Sequence, residues 1–292
     1  MGGSGVRACT PAPTREGGAS GVGAGAGSAR GGGVTAPRIF TPEYYARMRE
    51  LEASGWWNAA MRDVAAMLLN DVQLPASGTI LDIGCGSGQT LTWFGQRFGA
   101  WRTLGCDISP DAVTAAAQSG FEIVRASALA LPYPSGIADV VVSLDVLQHV
   151  PLGGGDVAAL REMRRVLKPG GWLFVRTNAQ SFPATADDRA YQFHRYQPRE
   201  LRDKLRTAGF EVRRLSRLNA MLGLAEIPRE LRARRVQGSE YHGILATSRG
   251  NTSWSSAMKR AWLRLEGQAV RRGVRLPAGR TIVALCHTGT AS

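Results

Sequence analysis

Cysteine is scarce in this chain, and the few that occur stay apart. Cys9, Cys85, Cys106 and Cys286 are the only four in 292 residues, and no two form a CxxC pair. That spacing argues against a disulfide framework or a zinc site and favours a reducing, cytoplasmic setting. There is no HxxxH, no HExxH and no carboxylate cluster, so no metal is expected. No apolar run approaches the ~18–20 residues of a membrane helix. The N-terminus has no apolar core of a secretory leader. Lysine is nearly missing, with 3 against 33 arginines, which reads as GC-rich coding bias. Large apolar side chains are almost lacking from residues 1–36, where twelve positions are glycine. Such a segment buries too little surface to offset chain entropy and is expected to be a disordered tail.

What is present begins with charge. Residues 1–194 carry 16 basic and 16 acidic groups, and residues 195–280 carry 20 against 7, which accounts for the net +13. The excess is either a solvated face or a surface for an acidic partner: a phosphorylated or carboxylated substrate, an anionic membrane surface, or nucleic acid.

Thr41 followed by Pro42 is a helix start, and TPEYYARMRELEASG reads as a helix closed by Gly55. WWNAAMRDVAAMLLN reads as a second. From Thr79 the rhythm becomes strand, helix, strand: TILDIG, QTLTWFGQRF, TLGCD, SPDAVTAAAQSG, FEIVRA, ADVVVSLD. GDVAALREMRRVLKPGG then reads as a helix running to its Pro-Gly-Gly stop, WLFVRTN as strand 5, PRELRDKLRTAG as a helix and FEVRRLSRL as strand 6. TIVALCH, Thr281 to His287, is the last strand. This alternation predicts an α/β, doubly wound (Rossmann-like) sheet with a ligand at the carboxyl ends of the strands. Residues 37–77 and a basic insertion, 218–280, are expected to cap a core of residues 78–217. The insertion's apolar residues (Leu222, Leu224, Ile227, Leu231; Met258, Trp262, Leu263, Leu265) fall at helical spacing.

The stretch LDIGCGSGQT, Leu81 to Thr90, places glycine at 84, 86 and 88. Glycine loses backbone entropy in regular structure, so a strand, a glycine-rich turn and a helix predict a ligand held against bare main chain. A dinucleotide fingerprint requires a third glycine at position 89, and Gln89 stands there. An NAD-dependent oxidoreductase is therefore disfavoured. Asp107 ends strand 2, where a carboxylate can accept from both hydroxyls of a ribose.

Together these residues resemble the class I S-adenosylmethionine (SAM)-dependent methyltransferases. ILDIGCGSG is similar to their first motif, LGCDISPDAV to the acidic motif after it, ALALPYPSGIADVVVSLDVLQHV to the stretch through strand 4, and RVLKPGGWLFV to the strand-5 motif. The flanks (ARMRELEASGWW; HRYQPRELRDKLRTAGFEVRRLSRLNAML; LEGQAVRRGVRLPAGRTIVAL) resemble a bacterial, type-11-like branch. The resemblance implies a seven-stranded sheet, mostly parallel with an antiparallel last strand. It also implies SAM as cofactor: Gly84, Cys85 and Gly86 in the turn beneath the methionine and ribose, Asp82 toward the amino-acid end, Asp107 on the ribose, Ile108 on the adenine, and Ser127 with Ala128 at the adenine edge. Two positions depart from the family. Ser127 stands where an aspartate is usual, and Met61 where an arginine is expected, with Arg62 one place along.

Methyl transfer then needs an acceptor atom held in line and water excluded. For a hydroxyl acceptor His149, after strand 4, is the best-placed base; otherwise it caps the loop before Pro151. His194 is a weaker candidate. Asp145 and Gln148 flank the cofactor side of that loop. Arg195 and Tyr196 are expected to line an acceptor pocket or to bridge cap and sheet. Trp56 and Trp57 are expected as a lid over the sulfonium or as core. Cys85 reads as a packed side chain, and Tyr133 as structural. The expected acceptor is a small or lipid-like molecule, acidic if the basic excess is used, methylated on O, N or C, as in specialised metabolism. The alternatives are an RNA methyltransferase and a SAM-binding protein without catalysis. Nucleic acid is disfavoured because SLDVLQ replaces an [ND]-P-P-[YF] motif, and because aromatics are thin among the C-terminal arginines.

Overall fold

Alternation along the central strands shows how the core is divided. β1 (Thr79–Ile83) sends Leu81 and Ile83 into one apolar cluster and Ile80 into another. β4 (Ala138–Leu144) sends Val141 one way and Val140 and Val142 the other. A strand apolar on both sides belongs inside a parallel sheet with helices on each face. The computed structural model, which describes residues 41–117, 120–151, 153–180, 194–220 and 253–289, has that form. β2 is Arg102–Asp107, β3 Glu122–Arg125, β5 Leu167–Asn178, β6 Glu211–Leu218 and β7 Thr281–His287. They form one seven-stranded sheet in the order β3-β2-β1-β4-β5-β7-β6. β7 runs antiparallel to both β5 and β6, while the pairings among the first five strands are parallel. The order reverses between β1 and β4, the place where open α/β sheets hold ligands.

α5 (Gly155–Val166) and α6 (Pro198–Thr207) cover one face through Leu160, Met163, Leu201 and Leu205. α2 (Trp56–Leu69), α3 (Gln89–Arg97) and α7 (Ser253–Arg271) cover the other, with Val64, Leu68, Phe94, Leu263 and Val270 against Ile80, Val142 and Phe174. α7 lies close along α2: a Cβ on Gly267 would stand 2.9 Å from Val64 Cγ2. Its buried Glu266 accepts from the main-chain N–H groups of Asn219 (2.5 Å) and Ala220 (3.1 Å), tying the end of β6 to the helix. α1 (Pro42–Ser54), capped by Thr41, and α4 (Pro110–Ala117) pack at the β2 side, where Tyr44, Tyr45 and Ala112 form a small cluster.

One predicted boundary is corrected. The helix read as running to Pro169-Gly170-Gly171 ends at Val166, because Leu167 is already extended (φ −76°, ψ 141°) and pairs with Ala138. Pro169 also disfavours helix at the preceding residue, so the Pro-Gly-Gly run lies inside β5. The N-terminal tail, and Leu222, Leu224, Ile227 and Leu231 of the insertion, lie outside the described residues. Among those described, no helix is long and apolar enough to cross a membrane.

The two faces of α7 make a stability test. Leu263 is fully buried and Leu265 is 57% exposed. Leu263→Ala is expected to cost about 2–5 kcal/mol and Leu265→Ala less than about 0.5 kcal/mol, read from urea unfolding midpoints. Equal losses would show that α7 is not docked as described.

Candidate functional site

The turn after β1 is suspended from β2. Gly84 and Cys85 both donate their N–H groups to the Cys106 carbonyl, at 2.8 and 3.0 Å, and Gly86 N–H donates to Asp107 Oδ2 at 2.9 Å. Two of its glycines are bare for different reasons. At Gly84 (φ +76°) a Cβ would stand 2.2 Å from Val146 Cγ2, so the protein itself fills that space. At Gly86 (φ +52°) the nearest atom to a Cβ would be Met48 Cε at 3.9 Å. Gly86 is therefore the open position, where a ligand can lie on the main chain.

Two carboxylates stand below the turn. Asp107 accepts from Gly86 through one oxygen and from Ser109 N–H (2.9 Å) through the other. Burial pushes its carboxyl above the ordinary range, against those N–H groups. Asp82 is 1% exposed, and its Oδ1 has no hydrogen-bond partner. Burial first, then the charges of Asp107 and Glu52, push its carboxyl up to about 8, with Arg176 pulling the other way. A buried carboxylate with an orphaned oxygen is costly and marks a place where a polar ligand group completes the structure.

Glu52 and Arg176 were missed by sequence reasoning. Glu52, on α1, accepts a short hydrogen bond from the Ser87 hydroxyl of the turn. Burial pushes its carboxyl up, opposed by Ser87, Arg176 and Arg62. Arg176, on β5, binds Asp145 Oδ2 through Nε (3.0 Å) and Nη2 (2.5 Å). Asp145 itself sits at φ +60°. α1 thus presents Tyr45, Met48 and Glu52, at i, i+3 and i+7, to the site: Tyr45 toward Ser109 and Asp107, Met48 toward Gly86, Glu52 onto Ser87. The visible signal was Arg176, a charge within the apolar run WLFVRTN.

Ile108 is 65% exposed beside Asp107, an apolar surface left open next to a carboxylate. Ser127 is turned inward on its own loop, where its Oγ accepts from Leu129 N–H at 3.2 Å, and Ala128 packs at the edge of the core. Gln148 is buried; its side-chain oxygen accepts from Asn178 N–H (3.1 Å) and the Thr177 hydroxyl (3.3 Å). That fixes its NH2 toward His149 Nε2, 3.4 Å away. His149 ends a short 3₁₀ turn, Leu147–His149, at the exposed rim. Crowding by neighbouring atoms holds its imidazole below the ordinary value, against the pull of Asp145.

Other expected residues are placed elsewhere. Tyr196, expected in an acceptor pocket, is 1% exposed and core; its hydroxyl meets the Leu147 carbonyl and Asp156 Oδ2, each at 3.1 Å. Ala179 and Tyr196 form a bridge, and side chains alternate along extended chain, so Arg195 and Tyr196 face apart. His194 Nε2 lies 2.7 Å from Glu200 Oε1, and its ring stands edge-on to Tyr196. Trp56 and Trp57 stand edge to face with each other and pack, partly buried, against the sheet cluster, and Trp56 also lines a cavity with Arg62. Met61 is 3% exposed among apolar neighbours and offers nothing to a ligand. Cys85 is buried, and burial pushes its thiol far up, so it is no nucleophile. Tyr133 donates to the Gly105 carbonyl at 2.7 Å. No group of three or more His, Cys, Asp or Glu side chains among the described residues is placed to hold a metal ion.

The glycine readings separate under substitution. Gly84→Ala meets both Val146 and a left-handed backbone and is expected to lose about 2–5 kcal/mol. Gly86→Ala meets only the backbone cost, about 1–2 kcal/mol. Chemical denaturation of both variants measures this, and equal losses would contradict the assignment of Val146 as the filler.

Residues 81–175 match the Methyltransf_11 family, a methyltransferase domain. The chain is 31% identical over 202 residues to the ubiquinone biosynthesis O-methyltransferase of Thiobacillus denitrificans, spanning 59% of this chain and 84% of that protein. It is 35% identical over 102 residues to a tRNA (carboxymethyluridine(34)-5-O)-methyltransferase of Arabidopsis thaliana, spanning 35% of this chain but only 24% of that protein. The phosphoethanolamine N-methyltransferase 2 of Haemonchus contortus, solved with SAM, superposes with a TM-score of 0.57 at 16% identity, covering 86% of this chain and 58% of that one, and shares the fold. Together with the motifs and the turn described above, the O-methyltransferase match shows that this chain belongs to the class I SAM-dependent methyltransferases.

Proposed function

We propose that the chain methylates a hydroxyl oxygen of a small or lipid-like acceptor, with His149 as the base that removes the hydroxyl proton. The observation that carries this reading is the state of His149. Its Nε2 stands 3.4 Å from the nitrogen of the Gln148 amide, which Asn178 and Thr177 orient. Burial holds the imidazole below its ordinary value, which favours the neutral form. A neutral imidazole at the rim of the strand-4 loop suits proton removal from a hydroxyl.

The residues present fit the cofactor. Asp107, oriented by the N–H groups of Gly86, Ser109 and Ile108, would accept from the ribose. Gly86 leaves the main chain open, Ile108 offers an apolar surface for the adenine with Ser127 and Ala128 at its edge, and the unpartnered Oδ1 of Asp82 would receive the amino group. Bound SAM supplies a methyl group activated by a sulfonium cation. Around it the chain's task is to exclude water and align the acceptor, and positioning alone can supply about 7–11 kcal/mol of the barrier.

The two relatives matched in sequence are O-methyltransferases by name, whereas the structural neighbour is an N-methyltransferase. The ubiquinone-biosynthesis relative is covered over 84% of its length, against 24% for the tRNA enzyme, which supports a small acceptor. A second reading, an RNA acceptor, is supported by the tRNA enzyme's 35% identity and by the basic excess of residues 195–280. Turnover of a panel of phenols and quinols against bulk tRNA, with radiolabelled methyl, decides between them: label in tRNA alone overturns the small-acceptor reading.

Two pH dependences follow. Asp82, with its carboxyl near 8, is protonated at pH 7 before the cofactor arrives. A cationic group beside it favours the ionised form, so binding releases a proton and SAM affinity rises as pH passes through about 8. Titration calorimetry in buffers of differing ionisation heat reads the proton, and Asp82→Asn should abolish the release. For His149 the depressed imidazole places the rise of kcat/KM below the ordinary imidazole range. His149→Gln should lower kcat by 10²–10⁴-fold and flatten that limb; an unchanged profile would remove His149 from the mechanism.

A further inference from the structure

A cavity of about 680 Å³ opens between α2, α3 and α7, within the range of small-molecule pockets. Trp56 and Trp93 supply aromatic wall, and Arg62, Arg260 and Arg264 supply charge. The one carboxylate among its lining residues, Asp63, is already engaged: its Oδ2 accepts from Arg260 and Arg264, each at 2.8 Å, and its Oδ1 from Arg260 at 3.2 Å.

Arg62 is different. Its one hydrogen bond among the described residues runs from Nη1 to the backbone carbonyl of Glu52, at 3.2 Å, and it forms no ion pair with a described carboxylate. The Glu52 carboxylate is near enough to stabilise Arg62 electrostatically, but its hydrogen bond is with Ser87. Burial pulls the Arg62 guanidinium down from its usual value, Glu52 and Asp63 oppose this, and Arg260 and Arg176 add to it. A partly buried guanidinium with a single hydrogen bond among the described residues keeps donors for a ligand, and its paired donors suit carboxylate or phosphate. Lys259 Nζ, 5.4 Å from the Trp56 ring, adds a further positive charge.

The cavity also lies in the right place. α2 enters β1 from its C-terminus, so its first turn, with Trp56, is at the carboxyl end of the sheet. Glu52 takes the bond from Arg62 through its carbonyl and reaches Ser87 of the glycine turn through its side chain. One residue separates the cavity wall from the turn.

We infer that this cavity is the acceptor site and that it takes an aromatic acceptor bearing a carboxylate or phosphate, the anion seated on Arg62 and the ring between Trp56 and Trp93. The inference rests on the small-acceptor reading and gives that acceptor a chemical class. The same anion chemistry has a second source, the carboxylate of SAM, and the experiment separates the two.

The full chain is titrated with phenyl phosphate, with benzyl alcohol as its uncharged counterpart, and with SAM, followed by tryptophan fluorescence and calorimetry. Phenyl phosphate should quench fluorescence and bind at least tenfold more tightly than benzyl alcohol. Trp93→Leu should reduce the quench. Arg62→Gln should weaken phenyl phosphate at least tenfold and leave SAM within twofold, and Arg62→Lys, which keeps the charge and guards against loss of fold, should fall between. If Arg62→Gln weakens SAM instead, the arginine belongs to the cofactor and the inference is overturned. Equal binding of phenyl phosphate and benzyl alcohol overturns it as well. Turnover of a neutral phenol without phenyl phosphate binding sinks the anion site alone, whereas exclusive methylation of tRNA sinks the small-acceptor reading beneath it.

Discussion

The site depends on three hydrogen bonds that hang the turn between β1 and α3 from the end of β2. Two run to the Cys106 carbonyl and one to the Asp107 carboxylate. Because the turn is pinned at Gly84, Cys85 and Gly86, its main chain is held in left-handed conformations that only glycine adopts without strain. The same bond from Gly86, with those from Ser109 and Ile108, orients Asp107, so the turn and the carboxylate beside it share one anchor.

Around this anchor the protein concentrates charge in a space with little water. Asp82, Asp107, Glu52 and Asp145 lie within electrostatic reach of one another, with Arg176 and Arg62 as the balancing cations. Burial first, and then the charges of Asp107 and Glu52, push the Asp82 carboxyl up, and its Oδ1 has no hydrogen-bond partner. On the proposed reading, a cationic ligand beside Asp82 would favour its ionised form, and the polar groups that would meet it are held by hydrogen bonds within the protein.

Much of this was legible in the chain because the signals were local. Helix starts at Thr41-Pro42, the glycine turn and Asp107 lie where spacing put them, and the two-sided apolar strands announced a buried parallel sheet. The misread boundary had a strong local signal, Pro169-Gly170-Gly171, overruled by pairing of Leu167 with Ala138 from another strand. Glu52 escaped notice for the same kind of reason: it meets Ser87 of the turn only once α1 folds onto it, and Arg176, although a charge in an apolar strand, shows its partner Asp145 only in three dimensions. Tyr196 failed as a pocket residue because adjacency to Arg195 says nothing about side-chain direction in extended chain, where neighbours point oppositely.

The basic excess of the C-terminal third resolves differently once the contacts are drawn. Much of α7's charge is spent on α2: Arg260 and Arg264 on Asp63, and Arg271 near Asp71. Exposed pairs of this kind contribute little stability, but they orient α7 along α2 and so hold open the cavity between them. The cavity's other cation, Arg62, comes from α2, outside that basic third, and lines the wall with Trp56 and Trp93. Partly buried, with Glu52 and Asp63 as its electrostatic neighbours and one hydrogen bond to a backbone carbonyl, it keeps donors for an anion. Selectivity for the acceptor would then arise at the first turn of α2, beside the carboxyl edge of the sheet where the cofactor turn lies.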